Sequence, residues 1–170
     1  KELSDCDEFW ISVAFLTMGG YASIINSLKE LEQKGVKGKI LVSQYLNFTQ
    51  PEALKRLYKL ENIDLKIINT ENFHSKGYTF KKGDYYTIII GSSNLTADAL
   101  SVNKEWNLKV SAHSKSKIIE SFFREFYNSF DKAVVVNNGY IADYQKIYKK
   151  KSQFEKIKNL KTSNQKLFKP

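Results

Sequence analysis

His74 and Lys76 stand two residues apart, and fifteen residues after the lysine comes Gly91-Ser92-Ser93-Asn94, followed by Glu105. Side chains two positions apart on a β-strand share a face. The spacing therefore pairs an imidazole, which can attack an electrophile or carry a proton, with a fixed ammonium charge. That combination suits a phosphate. Seventy-three residues precede His74 without a comparable cluster of reactive groups.

Each of these residues also has a plainer reading when taken singly. A lone strand histidine is commonly a structural hydrogen-bonding residue, and Gly, Ser and Asn favour turns and helix caps. Glu105 reads equally well as a solvated carboxylate at a strand edge. The joint spacing of His, Lys, Gly-Ser-x-Asn and Glu is what points to a site.

The elements that must position these groups can be read from the hydrophobic pattern. Phe73, Tyr78 and Phe80 interleave with polar residues before the turn Lys81-Lys82-Gly83-Asp84. Tyr85 to Ile90 is β-branched and aromatic and ends at Gly91, so the two runs predict a hairpin whose first strand begins with His74 and Lys76. Antiparallel pairing then brings His74 and Lys76 beside the Gly91 to Asn94 segment.

Upstream, Phe9 to Leu16 reads as a buried strand ended by Gly19-Gly20, and Ala22 to Gln33 shows helical spacing at Ile24, Ile25, Leu28 and Leu31. Lys39 to Ser43 is the next strand. Thr49 reads as an N-cap with Pro51 in the first turn and Glu52 completing a capping box, before Leu54, Leu57, Tyr58 and Leu60. Ile63 to Ile68 follows as a third strand. Strand and helix alternating in this way make right-handed parallel crossovers the default.

Downstream of the hairpin, Glu105 to Ala112 extends the sheet. Ser114 to Phe130 reads as an amphipathic helix whose stripe of Ile118, Ile119, Phe122, Phe123, Phe126 and Tyr127 faces the core. The expected architecture is α/β: a mixed β-sheet flanked by helices on both faces, with a C-terminal helical extension. In that extension Ile141, Tyr144, Ile147, Tyr148, Phe154, Ile157 and Leu160 recur at helical spacing, so 139–161 predicts one long helix or two shorter ones. Their stripe must bury against the domain, a second copy or a further domain.

The runs Phe73-His74-Ser75-Lys76-Gly77-Tyr78, Gly91-Ser92-Ser93-Asn94-Leu95-Thr96 and Asn103-Lys104-Glu105-Trp106-Asn107 resemble the phospholipase D superfamily. The stretch Val42 to Leu54 is similar to its nuclease-type members, those found with helicase modules and in metal-independent restriction enzymes. The resemblance covers roughly residues 5–130. The family's fuller signature has an Asp five residues after the motif lysine; Lys81 stands there, and Asp84 is out of register. The restriction-type branch resembles this chain in lacking that Asp and in carrying an acidic residue after the Asn, here Glu105.

The resemblance implies a phospholipase D-like nuclease domain over 1–135 and a lysine-rich helical extension over 136–170. It implies catalysis by His74, Lys76, Asn94 and Glu105: His74 as nucleophile, Lys76, Ser92 and Asn94 on the phosphate oxygens, and Glu105 orienting the imidazole or holding its proton. No metal or other cofactor is implied. The chemistry requires a second histidine to protonate the leaving oxygen. Only His113 is available within the chain; Lys115 stands two positions on, but Ser114-Lys115-Ser116 reads as the opening of a helix rather than a strand, so one site shared across a homodimer is expected.

The implied substrate is DNA, and the implied setting a larger restriction or helicase-type protein with a linked helicase or DNA-binding domain. Two alternatives remain at this stage. One is a catalytically silent nucleic-acid-binding or dimerisation domain; the other is a lipid phosphodiesterase, disfavoured by the lack of an interfacial apolar helix or lipid anchor.

Composition sets the outer limits. With 170 residues, 42% of them hydrophobic, the chain suits one domain with a sizeable core. No apolar run approaches a membrane span and no signal-like segment opens the chain. A single cysteine, Cys6, excludes an intrachain disulfide, and with only two histidines it offers no Cys/His metal cluster. A reducing compartment, the cytoplasm, is expected.

The start at Lys1 and the highly charged end read as a fragment of a longer protein. Net charge is +9, but residues 149–170 carry eight lysines against one glutamate, so the other 148 residues hold only +2. Arginine, the better bidentate partner for bases, occurs only at Arg56 and Arg124. Sequence-specific base reading is not expected.

Overall fold

The computed structural model describes residues 1–69 and 73–167. Seven strands form one sheet in the order β6-β5-β4-β1-β2-β3-β7. The strands are β1 (Glu8–Val13), β2 (Lys37–Ser43), β3 (Ile63–Ile68), β4 (Gly77–Lys82), β5 (Tyr85–Gly91), β6 (Asn107–His113) and β7 (Val134–Val135). The pairs β1–β2 and β2–β3 are parallel, and the remaining pairs are antiparallel. The mixed sheet expected from the alternation of elements is therefore present.

The helices are α1 (Met18–Gln33), α2 (Pro51–Leu57), α3 (Ala97–Ser101), α4 (Lys117–Phe130) and α5 (Asn138–Leu167). Strand alternation decides which face each covers. Phe9, Ile11 and Val13 of β1 point into a core shared with Leu28 and Leu31 of α1, Leu54 and Leu57 of α2, and Ile141 and Tyr144 of α5. Trp10 points the opposite way, into a second core with Leu41, Phe126 and Phe130. There the aromatic stripe of α4 closes over it, with Phe123 edge-on to Trp10 at 4.9 Å. Both sheet faces are thus covered by helices, as parallel central strands require.

Several local expectations are corrected. β1 stops at Val13 rather than Leu16, and Gly19-Gly20 do not terminate it: they lie inside the first turn of α1. Thr17 caps that helix, its Oγ1 accepting from Gly20 N at 3.2 Å. Thr49 is not the cap of α2; Gln50 is, with Pro51 at the first helical position. Thr49 is fully buried, and its hydroxyl donates to Ser43 O at 2.7 Å while accepting from Leu16 N at 3.3 Å. Buried backbone groups claim it because no water reaches them. His74 and Lys76 precede β4 rather than opening it, and Glu105 and Trp106 precede β6. The short α3 and β7 were not foreseen.

The first turns of α5 pack on the domain's own surface. Ile141 and Tyr144 are buried, and the Tyr144 hydroxyl donates to Thr49 O at 2.7 Å. Ile147, expected in the same stripe, is 47% exposed. The side chains of Phe154, Ile157 and Leu160 lie outside the described residues. No helix among the described residues is long and apolar enough to cross a membrane.

Candidate active site

The pairing registers converge on one rim of the sheet. Ser12 near the end of β1 pairs with Gly77 at the start of β4, Gly77 with Ile90, and Gly91 with Asn107. The parallel strands β1, β2 and β3 also end on this rim. It is where ligands bind in open α/β sheets, outside the carboxyl ends of the strands. His74, Lys76, Asn94 and Glu105 all lie in segments entering or leaving it.

His74 and Lys76 meet directly although neither is in a strand. Lys76 Nζ lies 2.7 Å from His74 Nδ1 and 3.3 Å from Nε2, and it donates to His74 O at 2.7 Å. Lys76 is 9% exposed. Burial pulls its ammonium below the usual lysine range, while the Glu105 carboxylate opposes that shift. A cation with little water around it acts strongly on a nearby anion.

Asn94 is fixed by its carbonyl end. Its Oδ1 accepts from Phe15 N at 3.0 Å, so what the side chain has to offer a ligand is its NH2. The backbone behind it is clamped to the β1–α1 connection: Leu95 N donates to Phe15 O at 3.2 Å and Thr17 N to Leu95 O at 3.1 Å. Gly20 makes this approach possible, since a Cβ there would stand 1.9 Å from Leu95 O.

Glu105 hydrogen-bonds Ser92 and Asn103. The Ser92 hydroxyl donates to Glu105 Oε2, and Asn103 Nδ2 donates to Oε1 at 3.4 Å. Ser92 Oγ also accepts from Trp106 N at 3.1 Å. The phosphate role expected of Ser92 therefore requires its bond to the carboxylate to open. Ser93 faces inward, accepting from Asn107 Nδ2 at 2.8 Å through its hydroxyl and from Tyr78 OH at 2.9 Å through its carbonyl. Burial, with Glu105 second, raises the Tyr78 phenol far above its ordinary value.

Two clefts open at this rim. His74 and Lys76 line one of about 660 Å³, walled by β5 and α4. Asn94 and Glu105 line another of about 600 Å³, together with Phe15 and Gln50. Phe15 joins them: its amide holds Asn94, and its ring meets the His74 ring edge-on at 5.6 Å. Sequence reasoning passed over Phe15 because it read as the interior of a buried strand.

The two remaining motif positions stand apart. Lys81, where the family signature has Asp, pairs with Glu8 at 2.9 Å near the opposite end of β4. His113 is opposite Tyr85 at the far end of β6 from Asn107, about 20 Å from the rim at strand rise. Among the described residues no group of three or more His, Cys, Asp or Glu side chains is arranged to hold a metal ion.

The family model described as cardiolipin synthase, PLD-like domain, matches residues 3–129. The chain belongs to the phospholipase D-like family. Several solved structures share the fold at low identity. NucT from Helicobacter pylori is 18% identical with a TM-score of 0.62, covering 79% of this chain and 86% of that one.

The phospholipase D family member Nuc from Salmonella typhimurium is 20% identical with a TM-score of 0.63, covering 81% and 87%. Phosphatidylserine synthase from Haemophilus influenzae is 16% identical with a TM-score of 0.56, covering 91% of this chain but 41% of that one. No curated protein matches by sequence.

Proposed function

We propose that this phospholipase D-like domain is a DNA endonuclease that hydrolyses phosphodiesters without a metal, using His74 as nucleophile at a site completed by a second copy of the chain. The observation that carries the reading is the buried Lys76 ammonium held against the His74 ring, which Phe15 links to Asn94. A neutral imidazole nitrogen attacks phosphorus, and the bond to the leaving oxygen breaks as a second imidazole donates its proton to that oxygen. Water then attacks the phosphohistidine, giving its proton to the second imidazole, and the P–N bond breaks to restore His74.

Lys76 and the Asn94 NH2 bind the non-bridging oxygens. Each such donor is worth roughly 10²–10³ in rate. They supply the positive charge and directed donors that a cation would otherwise bring. Glu105, braced by Ser92, sets the local negative charge that keeps Lys76 protonated and holds or orients the imidazole proton.

The distance of His113 favours a second copy as the source of the second imidazole. So does the rim itself: Trp106 just before β6 is 90% exposed, Leu108 of β6 67% and Ile90 of β5 52%, an apolar strip beside the site. Since β6 is the sheet edge, this strip is suited to burial against another protein surface. DNA is preferred to lipid because the neighbours matched over most of their own length are Nuc and NucT. The exposed lysines Lys146, Lys149 and Lys150 of α5 suit a polyanion or a linked helicase or DNA-binding domain.

The test is cleavage of plasmid and single-stranded DNA in excess EDTA, wild type beside His74→Ala, at concentrations where sedimentation shows a dimer. Cutting that survives EDTA and vanishes with the histidine is expected. Loss of cutting on chelation, or persistence in His74→Ala, overturns the reading.

A further inference from the structure

We infer that Phe48 is a stacking platform for an unpaired nucleobase next to the phosphate held by His74 and Lys76, so that the site takes single-stranded or locally melted strands. The inference rests on the phosphodiesterase reading above and names its substrate class. Phe48 sits in the β2–α2 connection, 50% exposed, with its ring edge-on to Phe15 at 5.1 Å. Phe15 in turn meets His74 at 5.6 Å. Phe48 is therefore no farther from the imidazole than those two separations laid end to end, within the span of a dinucleotide.

The connection is held in a demanding shape. Leu46 and Asn47 adopt φ of 49° and 53°, the left-handed region that residues with a Cβ rarely occupy. Such conformations persist where surrounding contacts impose them, and they cluster at ligand sites. The contacts here come from two directions. Within the segment, Asn47 N donates to Gln44 O at 2.8 Å. From α5, Tyr140 OH donates to Gln44 Oε1 at 2.8 Å and Lys151 Nζ donates to Leu46 O. The ring is thus presented on a braced loop rather than at the tip of a loose one.

Charge identifies the occupant. Lys151 Nζ stands over the Phe48 ring at 5.1 Å from its centroid, and the exposed Lys146, Lys149 and Lys150 continue along the same helix. A half-exposed aromatic ring with a cation over one face and its open surface left for a base, near a proposed phosphate site, fits the arrangement used for strands without sequence preference: bases stack and the backbone follows the charge. In a paired duplex both faces of each base are already stacked, so a fixed phenyl ring recruits only a base that has left the helix. The scarcity of arginine agrees with stacking in place of edge reading.

Two readouts separate this inference from the catalytic one. Binding of a fluorescent oligothymidylate and of a blunt duplex of equal length is measured by anisotropy in the His74→Ala background, with and without Phe48→Ala. Hydrolysis of bis(p-nitrophenyl) phosphate, which has no base, is followed in the His74-intact proteins. Phe48→Ala is expected to weaken oligothymidylate binding roughly 5- to 150-fold, with duplex binding and bis(p-nitrophenyl) phosphate hydrolysis unchanged; Phe48→Trp is expected to retain binding.

Equal oligothymidylate affinity with and without the ring overturns the inference. So does an equal loss for both nucleic acids, or a Phe48-dependent affinity for anionic phosphatidylglycerol vesicles that exceeds that for the oligonucleotide. Failure of bis(p-nitrophenyl) phosphate hydrolysis in the wild type counts against the catalytic reading instead.

Discussion

Gly20→Ala tests whether α1 holds the Asn94 segment in place. The added Cβ would stand 1.9 Å from Leu95 O and 2.7 Å from Thr96 N, whereas ordinary contact begins at 3.4 Å. Relief demands a shift of about 1.5 Å between α1 and the segment after Asn94. Neither side yields easily. Leu95 is tied by its N–H to Phe15 and by its carbonyl to Thr17, and Gly20 N is bound to the Thr17 hydroxyl. Overpacking of this kind costs roughly 1–3 kcal/mol, and one strained or lost hydrogen bond adds about 1 kcal/mol.

At about 2–4 °C per kcal/mol for a chain of this size, the melting temperature should fall by roughly 5–15 °C. Because Asn94 precedes the displaced residue and is anchored to Phe15 next door, the NH2 proposed to bind the phosphate oxygens moves with it. A misplacement of about 1 Å can cost on the order of 10² in rate. The assay is thermal unfolding beside DNA cleavage measured well below the melt and normalised to folded protein. An unchanged melting temperature, or full activity per folded molecule, refutes the argument that this glycine sets the site.

Lys76→Met should lower cleavage by roughly 10²–10³. The alkaline limb of wild-type activity should fall below the ordinary lysine value of 10.5, because burial lowers the pKa of Lys76. In the same window the sign for stability is opposite: the unfolded lysine holds its proton longer, so stability rises with pH as activity declines. Lys76→Arg, whose guanidinium does not titrate there, should remove that limb from the pH–rate profile. Tyr144→Phe leaves Thr49 O without its donor and should destabilise the domain by about 1–2 kcal/mol in urea unfolding, with the m-value unchanged.

The long-range organisation was legible because its signals are periodic. β3 occupies the expected Ile63–Ile68, and the hairpin turns at Gly83-Asp84, where Gly83 takes φ +55°. The aromatic spacing of α4 marks the buried face that covers Trp10. Local caps were misread because tertiary contacts claimed the residues concerned. Thr49 looked like a capping residue but is buried and serves Ser43 and Leu16, leaving Gln50 at the cap. Gly19-Gly20 looked like a breaker because glycine is poor in helices, yet Gly20 is there for the backbone of Leu95.

At the site, the pairing of His74 with Lys76 was expected from strand alternation but is achieved in a coil, by the lysine folding back onto the histidine carbonyl and ring. Phe15 and Phe48 are not picked out by the sequence, since Phe15 reads as the interior of a buried strand and Phe48 as part of a loop. Only the fold turns Phe15 toward the imidazole and leaves Phe48 half in solvent.

The central claim is that His74 forms a covalent bond to phosphorus. Rapid acid-free quenching of the enzyme with a 5′- and 3′-labelled single-stranded oligonucleotide, followed by proteolysis and mass spectrometry, tests it directly. The account predicts a transient phosphoryl adduct on the peptide holding His74, absent from His74→Ala and absent from the peptide holding His113. Cleavage at full rate with no adduct under conditions that preserve phosphohistidine, or an adduct on His113, would contradict it.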